Sequence, residues 1–350
     1  MSENLANDIR NKALELGYDD CGIISTASMK GYAEKLSARI ERFPDCEPKM
    51  KYFYNFASPE QKFPWAKSVV ICVRHYGKYK IPKSVSGLIG KYYLTDGRQN
   101  PEAESFHATD LFSEFLREQG LETATERKFG ITALRWAAMQ AGLGIIRKNN
   151  FFYTEKGSWV YLEAWLIDKE LELTSKCSLP PCPDSCGRCV DACPTKSLAE
   201  PYFMNRGSCI SCITTWDGRD MPNEKYRKQL GQWVFGCDAC QDVCPHNKNK
   251  WRDDEDFPGL DKLADKISLK KIVKMDYDFL RDEIHPKFWY IGKDDVWKWK
   301  TNAINAMIND DVSKYREDIA AACGDPHEKV REMAELAEGA ISLTFPLPEK

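Results

Sequence analysis

Two bursts of cysteine constrain this chain more than any other feature. "CPDSCGRCVDACP" runs from Cys182 to Pro194 and sets four cysteines within twelve residues. "CDACQDVCP" runs from Cys237 to Pro245 and closes on the same Cys-Pro pair. Fourteen cysteines occur in 350 residues, nine of them between Cys182 and Cys244, with Cys177 just before. The start, "MSENLANDIRNKALEL", lacks the charged-then-apolar order of a secretory signal. No apolar run approaches the roughly 18 residues that a membrane span needs. These features predict a cytoplasmic protein, in which thiols stay reduced and clustered cysteines serve as metal ligands rather than disulfides. Cys21, Cys46, Cys72 and Cys323 are scattered and read as small buried thiols.

The spacing chooses the metal. The first burst is Cys182-x3-Cys186-x2-Cys189-x3-Cys193-Pro and the second is Cys237-x2-Cys240-x3-Cys244-Pro, with Cys209 and Cys212 between them. Zinc takes four tetrahedral ligands, usually as two separated pairs. Three close thiolates followed by a Cys-Pro instead match the two-cluster ferredoxin pattern, in which the last cysteine of each burst serves the other cluster. The proline suits a first helical turn, where its missing N–H is not needed. The predicted assignment is therefore crossed. Cys182, Cys186, Cys189 and Cys244 hold one [4Fe–4S] cluster; Cys237, Cys240, Cys193 and Cys209 hold the other. The first gap is one residue longer than the ferredoxin norm, so Cys177 is an alternative to Cys182, and Cys212 competes with Cys209.

A ferredoxin needs only this segment, yet long stretches flank it. With 43% hydrophobic residues the chain can build two or three modules. A net charge of −3 argues against a surface given over to nucleic acid, without excluding a local basic patch. Residues 1–175 alternate helical and strand patterns. "NLANDIRNKALELGYDDCGI" puts Leu5, Ile9, Ala13 and Leu16 on one face and ends at Gly17. "CGIIST", Ser68 to Val73, and "GSWVYLEAWLID" read as strands, the last of them central. "ATDLFSEFLREQGL" reads as a helix with Leu111, Phe115 and Leu116 inward, and "TALRWAAMQAGLGII" as a buried helix closed at Gly142. This predicts an α/β or α+β domain over 1–175, a ferredoxin-like double-cluster module over 176–250, and a helical cap over 251–350. In the cap, "DPHEKVREMAELAEGAI" looks like one helix of a HEAT-type pair, and the terminal "FPLPEK" is expected to fray.

Several stretches together resemble one family: "AKSVVICVRHY", "AGLGIIRKNNFFYTEKGSWVYLEAWLID", "CGRCVDACPTKSL", "FGCDACQDVCPHN", "TNAINAM" and "DPHEKVREMA". The chain resembles the epoxyqueuosine reductases, cobalamin-dependent iron–sulfur enzymes of queuosine biosynthesis related to reductive dehalogenases. The resemblance implies a domain that holds cobalamin near a cluster, with electrons from ferredoxin or flavodoxin. It implies corrin contacts at Gly142, Gly144, Lys148 and Asn149 and at Gly157, Ser158, Trp159 and Val160. Glycines allow close approach to a flat ligand, and Lys and Asn can donate to its amide carbonyls.

Two places depart from the family pattern. The acid-bearing "VDTGP"-like segment corresponds here to "RKFGIT", with Lys128 where the aspartate stands. The family's Asp-Tyr-His becomes "GKYYL": Tyr92 takes the place of the aspartate, Tyr93 matches the tyrosine, and Leu94 replaces the histidine. Lys128, Tyr93 or Tyr92 is then the expected proton donor. Lysine and tyrosine have ordinary pKa values near 10, which reads as too weak for an epoxide-derived alkoxide. The resulting expectation is a paralogue that reduces an unidentified small organic substrate. The first alternative is epoxyqueuosine reduction on tRNA; the second is a non-catalytic electron-transfer or cobalamin-reducing partner protein.

Overall fold

The computed structural model describes residues 2–215 and 220–344, so the expectation for "FPLPEK" lies outside the described residues. Its centre is a four-stranded sheet of β1 (Asp20–Ser25), β2 (Ser68–His75), β3 (Thr123–Thr125) and β6 (Val160–Ile167). A small hairpin of β4 (Ile145–Ile146) and β5 (Phe152–Tyr153) lies between β3 and β6 in the chain. The strand order is β1-β2-β6-β3 and every pairing is antiparallel, which makes the domain α+β. The strand from "GSWVYLEAWLID" is interior, as its aromatic and β-branched content predicts.

Both faces of this sheet are covered, so β2 reads as a continuous apolar run rather than an alternation. Period two then sorts its side chains. Val69, Ile71 and Val73 pack with Ala164 and Leu166 beneath the helix Leu134–Gln140, where Ala137 and Ala138 are fully buried. Val70 and Cys72 pack on the opposite face with Trp165 and Ile167, against the helices Ser2–Glu15 and Glu104–Glu118. In the second of these helices the inward stripe is Ala108, Phe112 and Leu116, spaced four apart. Leu111, expected inside, is 48% exposed, because it sits about 100° round the helix from Phe112. Cys21, Cys46 and Cys72 are buried as expected, whereas Cys323 is only half-buried.

Within each cysteine burst lies a short helix, Arg188–Ala192 carrying Cys189 and Ala239–Asp242 carrying Cys240. Beyond them lie the helices Leu269–Lys274, Trp297–Asn309, Arg316–Ala322 and Glu328–Thr344. The helix Trp297–Asn309 is buried nearly all round, because its apolar neighbours come from two directions. Val85, Ile89, Leu94 and Phe235 share one core with Ile304, Met307, Val330 and Met333. Phe235 stacks on Trp299 with centroids 4.9 Å apart, so the strand-domain loops, the second cysteine burst and the C-terminal helices meet here.

Two glycines act as backbone devices. Gly17 ends the first helix with φ +82°. Gly142 closes the helix Leu134–Gln140 with φ +74°, and a Cβ there would stand 1.7 Å from the carbonyl oxygen of Ser175. Gly142→Ala combines a strained φ with a clash against backbone. It is expected to destabilise by about 2–4 kcal/mol, read from the denaturant midpoint.

Candidate cluster and cofactor site

The fold brings the two cysteine bursts together. Cys189 and Cys193 are buried beside Leu198, with Cys240 packed on them. Burial pushes the Cys189 thiol up, and the nearby charges of Cys244 and Cys182 push the same way. Burial likewise pushes Cys237 up, with Cys209 and Cys193 among its neighbours. Cys240 behaves in the same way, with Cys209, Cys237 and Cys193 around it. Each burst thus lends thiols to the surroundings of the other. Cys212 lies against Cys209, and their hydrogen bond holds the Cys209 thiol down to about 7. Cys177 is half-buried.

Buried polar side chains fix these loops to the strand domain. Lys148, 6% exposed, donates from Nζ to the carbonyls of Pro183, Asp184 and Cys186 at 2.7, 3.0 and 3.0 Å. All three ammonium protons are used. Asn149 Nδ2 donates to Tyr153 Oη at 2.8 Å and to the Cys240 carbonyl at 3.1 Å. Arg147 is 1% exposed and donates from Nη1 to Cys182 Sγ at 3.6 Å. Ser158 Oγ accepts from Gln241 Nε2 and from Asn247 Nδ2, each at 2.8 Å, which ties the approach to β6 onto the loop around Cys240 and Cys244.

A cavity of about 660 Å³ opens beside this module. Its apolar walls include Phe53, Phe56, Trp136, Ile146 and Phe152, while Tyr202 and Phe203 come from the cluster module. Arg39, Arg135 and Asn150 give it a polar end. Arg39 Nη2 donates to Asn150 Oδ1 at 2.7 Å, and Arg135 Nη1 donates to the Asn150 carbonyl. Burial, with Arg135 nearby, lowers Arg39 to about 10. The Asn150 Nδ2 is buried with no hydrogen-bond partner among the described residues, on a residue held at φ +64°. The arrangement offers N–H donors to an acceptor-rich ligand lying on apolar walls.

The predicted contact residues divide. Ser158 and Val160 line the cavity. Lys148 and Asn149 do not, because their protons are spent on the cluster loops. Gly142 and Gly144 also serve internal packing. A Cβ on Gly144 would stand 2.2 Å from the Tyr153 carbonyl, so the glycine admits β5 rather than a ligand. Gly157 turns at φ +91° against Asn247. Trp159 packs with Tyr76 and Trp251, under the Lys91 ammonium, and is not part of the cavity lining.

The predicted proton donors divide as well. Tyr92 lines the cavity, and burial raises its phenol well above the ordinary value. Tyr93 instead packs on Phe235 and Tyr290, with its hydroxyl 2.7 Å from Ser211 Oγ. Lys128 is exposed, with Nζ 5.5 Å from the centre of the Trp289 ring. The Glu126 carboxylate accepts from the N–H groups of Lys128 and Phe129, and Arg98 Nη1 donates to the Lys128 carbonyl at 2.6 Å. The turn so held sends Phe129 into the cavity wall in place of Lys128. Arg39, Arg135, Asn150 and Tyr202 went unnoticed in the sequence. Only Asn150, adjoining "RKN", carried a local signal.

Comparison with known proteins matches this arrangement. A 4Fe-4S double cluster binding domain covers residues 182–247. An epoxyqueuosine reductase of Leadbetterella byssophila is 31% identical over 69% of this chain and 80% of its own length. One from Staphylococcus aureus is 29% identical over 97% of this chain and 90% of its own. Two solved epoxyqueuosine reductases share the fold. One, solved with an epoxyqueuosine-modified tRNA-Tyr stem loop, has a TM-score of 0.79 at 23% identity, covering 98% of this chain and 91% of that one. The other, from Bacillus subtilis with its catalytic aspartate loop swung out of the active site, has a TM-score of 0.77 at 24% identity, covering 97% and 91%. These relatives overturn the expectation, built on Lys128 and Tyr92, of a paralogue turned to an unidentified small organic substrate. They equally displace a non-catalytic carrier: the chain is an oxidoreductase and belongs to the epoxyqueuosine reductase family.

Proposed function

We propose that this chain reduces epoxyqueuosine in tRNA, using two [4Fe–4S] clusters and a cobalamin, with ferredoxin or flavodoxin as electron donor. The observation that carries this reading is the cavity, whose walls come from both the strand domain and the cluster module. Tyr202 lines it while lying within the electrostatic reach of Cys182 and Cys189. In this reading residues 1–175 form the cobalamin domain and the C-terminal helices a HEAT-like cap.

The residues present suit the redox groups. Cys182, Cys186, Cys189 and Cys244 would hold the first cluster, and Cys193, Cys209, Cys237 and Cys240 the second; clusters of this kind carry single electrons. A corrin fits the cavity by its apolar walls, by Ser158 and Val160, and by the unpartnered Asn150 amide, which matches a carbonyl acceptor. When bound, cobalamin supplies a strongly reducing, nucleophilic cobalt.

Reductive removal of an epoxide oxygen takes two electrons and two protons and releases water. Tyr92 is positioned to hold one of those protons. Burial keeps its phenol neutral through the physiological range. The expectation that a phenol is too weak an acid here fails on chemistry: an alkoxide is the conjugate base of an alcohol, a weaker acid than a phenol. Arg39 and Arg135, which line the same cavity, orient acceptor groups there, and the aromatic walls exclude water from the reacting region.

Four outcomes test this reading. Anaerobically reconstituted protein should carry about eight iron atoms per chain. Cys189→Ala should lose one cluster's EPR signal, while Cys212→Ser should keep both; the reverse pattern rejects the ligand assignment. Given cobalamin and reduced flavodoxin, the protein should convert an epoxyqueuosine-containing tRNA stem loop to the queuosine form, followed by mass spectrometry. No product from protein carrying both clusters and corrin rejects the function. Tyr92→Phe should lower kcat about 100-fold or more while leaving the visible spectrum of bound corrin unchanged. An unaltered kcat removes Tyr92 from the reaction.

A further inference from the structure

Arg147 poses a problem of charge. It is among the largest fully buried side chains, at 1% exposure. Its Nε and Nη2 are buried without a hydrogen-bond partner among the described residues. Among the described residues it forms no ion pair with a carboxylate, and its guanidinium lies 5.3 Å from the centre of the Tyr153 ring. The adjacent Lys148 is also buried, and among the described residues its ammonium bonds the carbonyls of Pro183, Asp184 and Cys186 and no carboxylate. Two neighbouring cations in a dry interior, with no carboxylate against them among the described residues, are strongly unfavourable unless an anion compensates them. The contacts say where that anion belongs. Arg147 Nη1 points at Cys182 Sγ, and Lys148 grips the loop between Cys182 and Cys186.

We propose that Arg147 and Lys148 are the counter-ions of the first cluster, and that Arg147 raises its reduction potential. This rests on the assignment of Cys182, Cys186, Cys189 and Cys244 to one cluster. A cubane held by four thiolates is an anion, and reduction adds one more negative charge. A fixed guanidinium in low dielectric stabilises the reduced form more than the oxidised one. N–H donation to cluster sulfur acts in the same direction, and both are established determinants of cluster potential. Arg147 has two such donors, Nε and Nη2, left over after the bond to Cys182. Its planar fork can serve two sulfur atoms at once, which an ammonium cannot. Lys148 contributes charge without direct donation, because its protons are already engaged. The second burst has a different setting: the buried Asp238 carboxylate lies next to Cys237 and accepts from the Lys91 N–H at 2.9 Å. Arg147 is therefore a tuning residue, acting through the cluster and not on substrate.

The test is an EPR-monitored redox titration of the reconstituted full chain. The signal lost in Cys189→Ala identifies the first cluster. Arg147→Gln and Arg147→Met should keep full iron content and lower the midpoint of that signal, leaving the second signal in place. Arg147→Lys should fall between them and the wild type, keeping the charge but losing the fork. An unmoved first-cluster midpoint in the Gln and Met variants, or an equal shift of both signals, overturns the proposal. Should the Met variant fail to assemble, the other two decide: Gln lowered further than Lys supports the proposal, and equal midpoints overturn it. A wild-type protein with only one cluster would instead sink the ligand assignment, and the inference with it.

Discussion

Three hydrogen bonds from one buried ammonium join the two halves of this molecule. Lys148 Nζ satisfies the carbonyls of Pro183, Asp184 and Cys186, the turn that carries the first thiols. The loop 182–187 forms neither strand nor helix, so its carbonyls have no ladder partners. Its carbonyls need donors from elsewhere. Lys148 supplies them from the segment between β4 and β5, and Asn149 repeats the device for the Cys240 carbonyl. The cluster module is thus held by polar side chains of the strand domain, and the position of the cavity follows from that attachment.

The cavity itself lies where two kinds of packing stop. Behind it the sheet and the helix Leu134–Gln140 form a dry core of small and branched residues. In front, an aromatic group built from Tyr76, Trp159, Tyr161 and Trp251 fills the seam towards the second burst. Between them the walls are apolar while the polar end is all donors. Asp96 and Arg98 brace the edge: Arg98 pairs with Asp96 at 2.8 Å and bonds the Tyr290 hydroxyl at 2.9 Å. Because Tyr290 belongs to the C-terminal part and the Lys128 carbonyl to the first, this arginine links the Lys128 turn to the helical end.

The C-terminal helices contribute more than a cover. The Lys300–Asp325 pair, 2.8 Å apart and almost wholly buried, anchors the start of the helix Glu328–Thr344, with the Tyr277 hydroxyl on the same carboxylate at 2.6 Å. Breaking one side of such a pair typically costs about 3–5 kcal/mol, since the remaining charge stays buried. The Phe235–Trp299 stack then passes that rigidity to the backbone leading into Cys237. The C-terminal core and the second burst are in this way one packed unit.

The sequence by itself determined the elements and the cluster chemistry. Cysteine spacing is a local property, so the double-cluster segment was readable before any fold was known. The same holds for the strand Val160–Ile167, the helix ended by Gly142, and the resemblance that covers most of the chain. The tertiary structure alone decided which of the candidate residues face the cavity. Lys148 and Asn149 looked like ligand donors because donation is a property of the side chain; what they donate to depends on the cysteine loops far along the chain. Lys128 looked like an acid's replacement because alignment keeps position. The carboxylate of Glu126 and the guanidinium of Arg98 turn that segment so that Phe129 lines the cavity instead. Arg39 and Arg135 had no local signal at all, since their convergence on Asn150 needs two helices brought to one end of the cavity. Spacing along the chain fixes what a residue can do, and packing across it fixes what it meets.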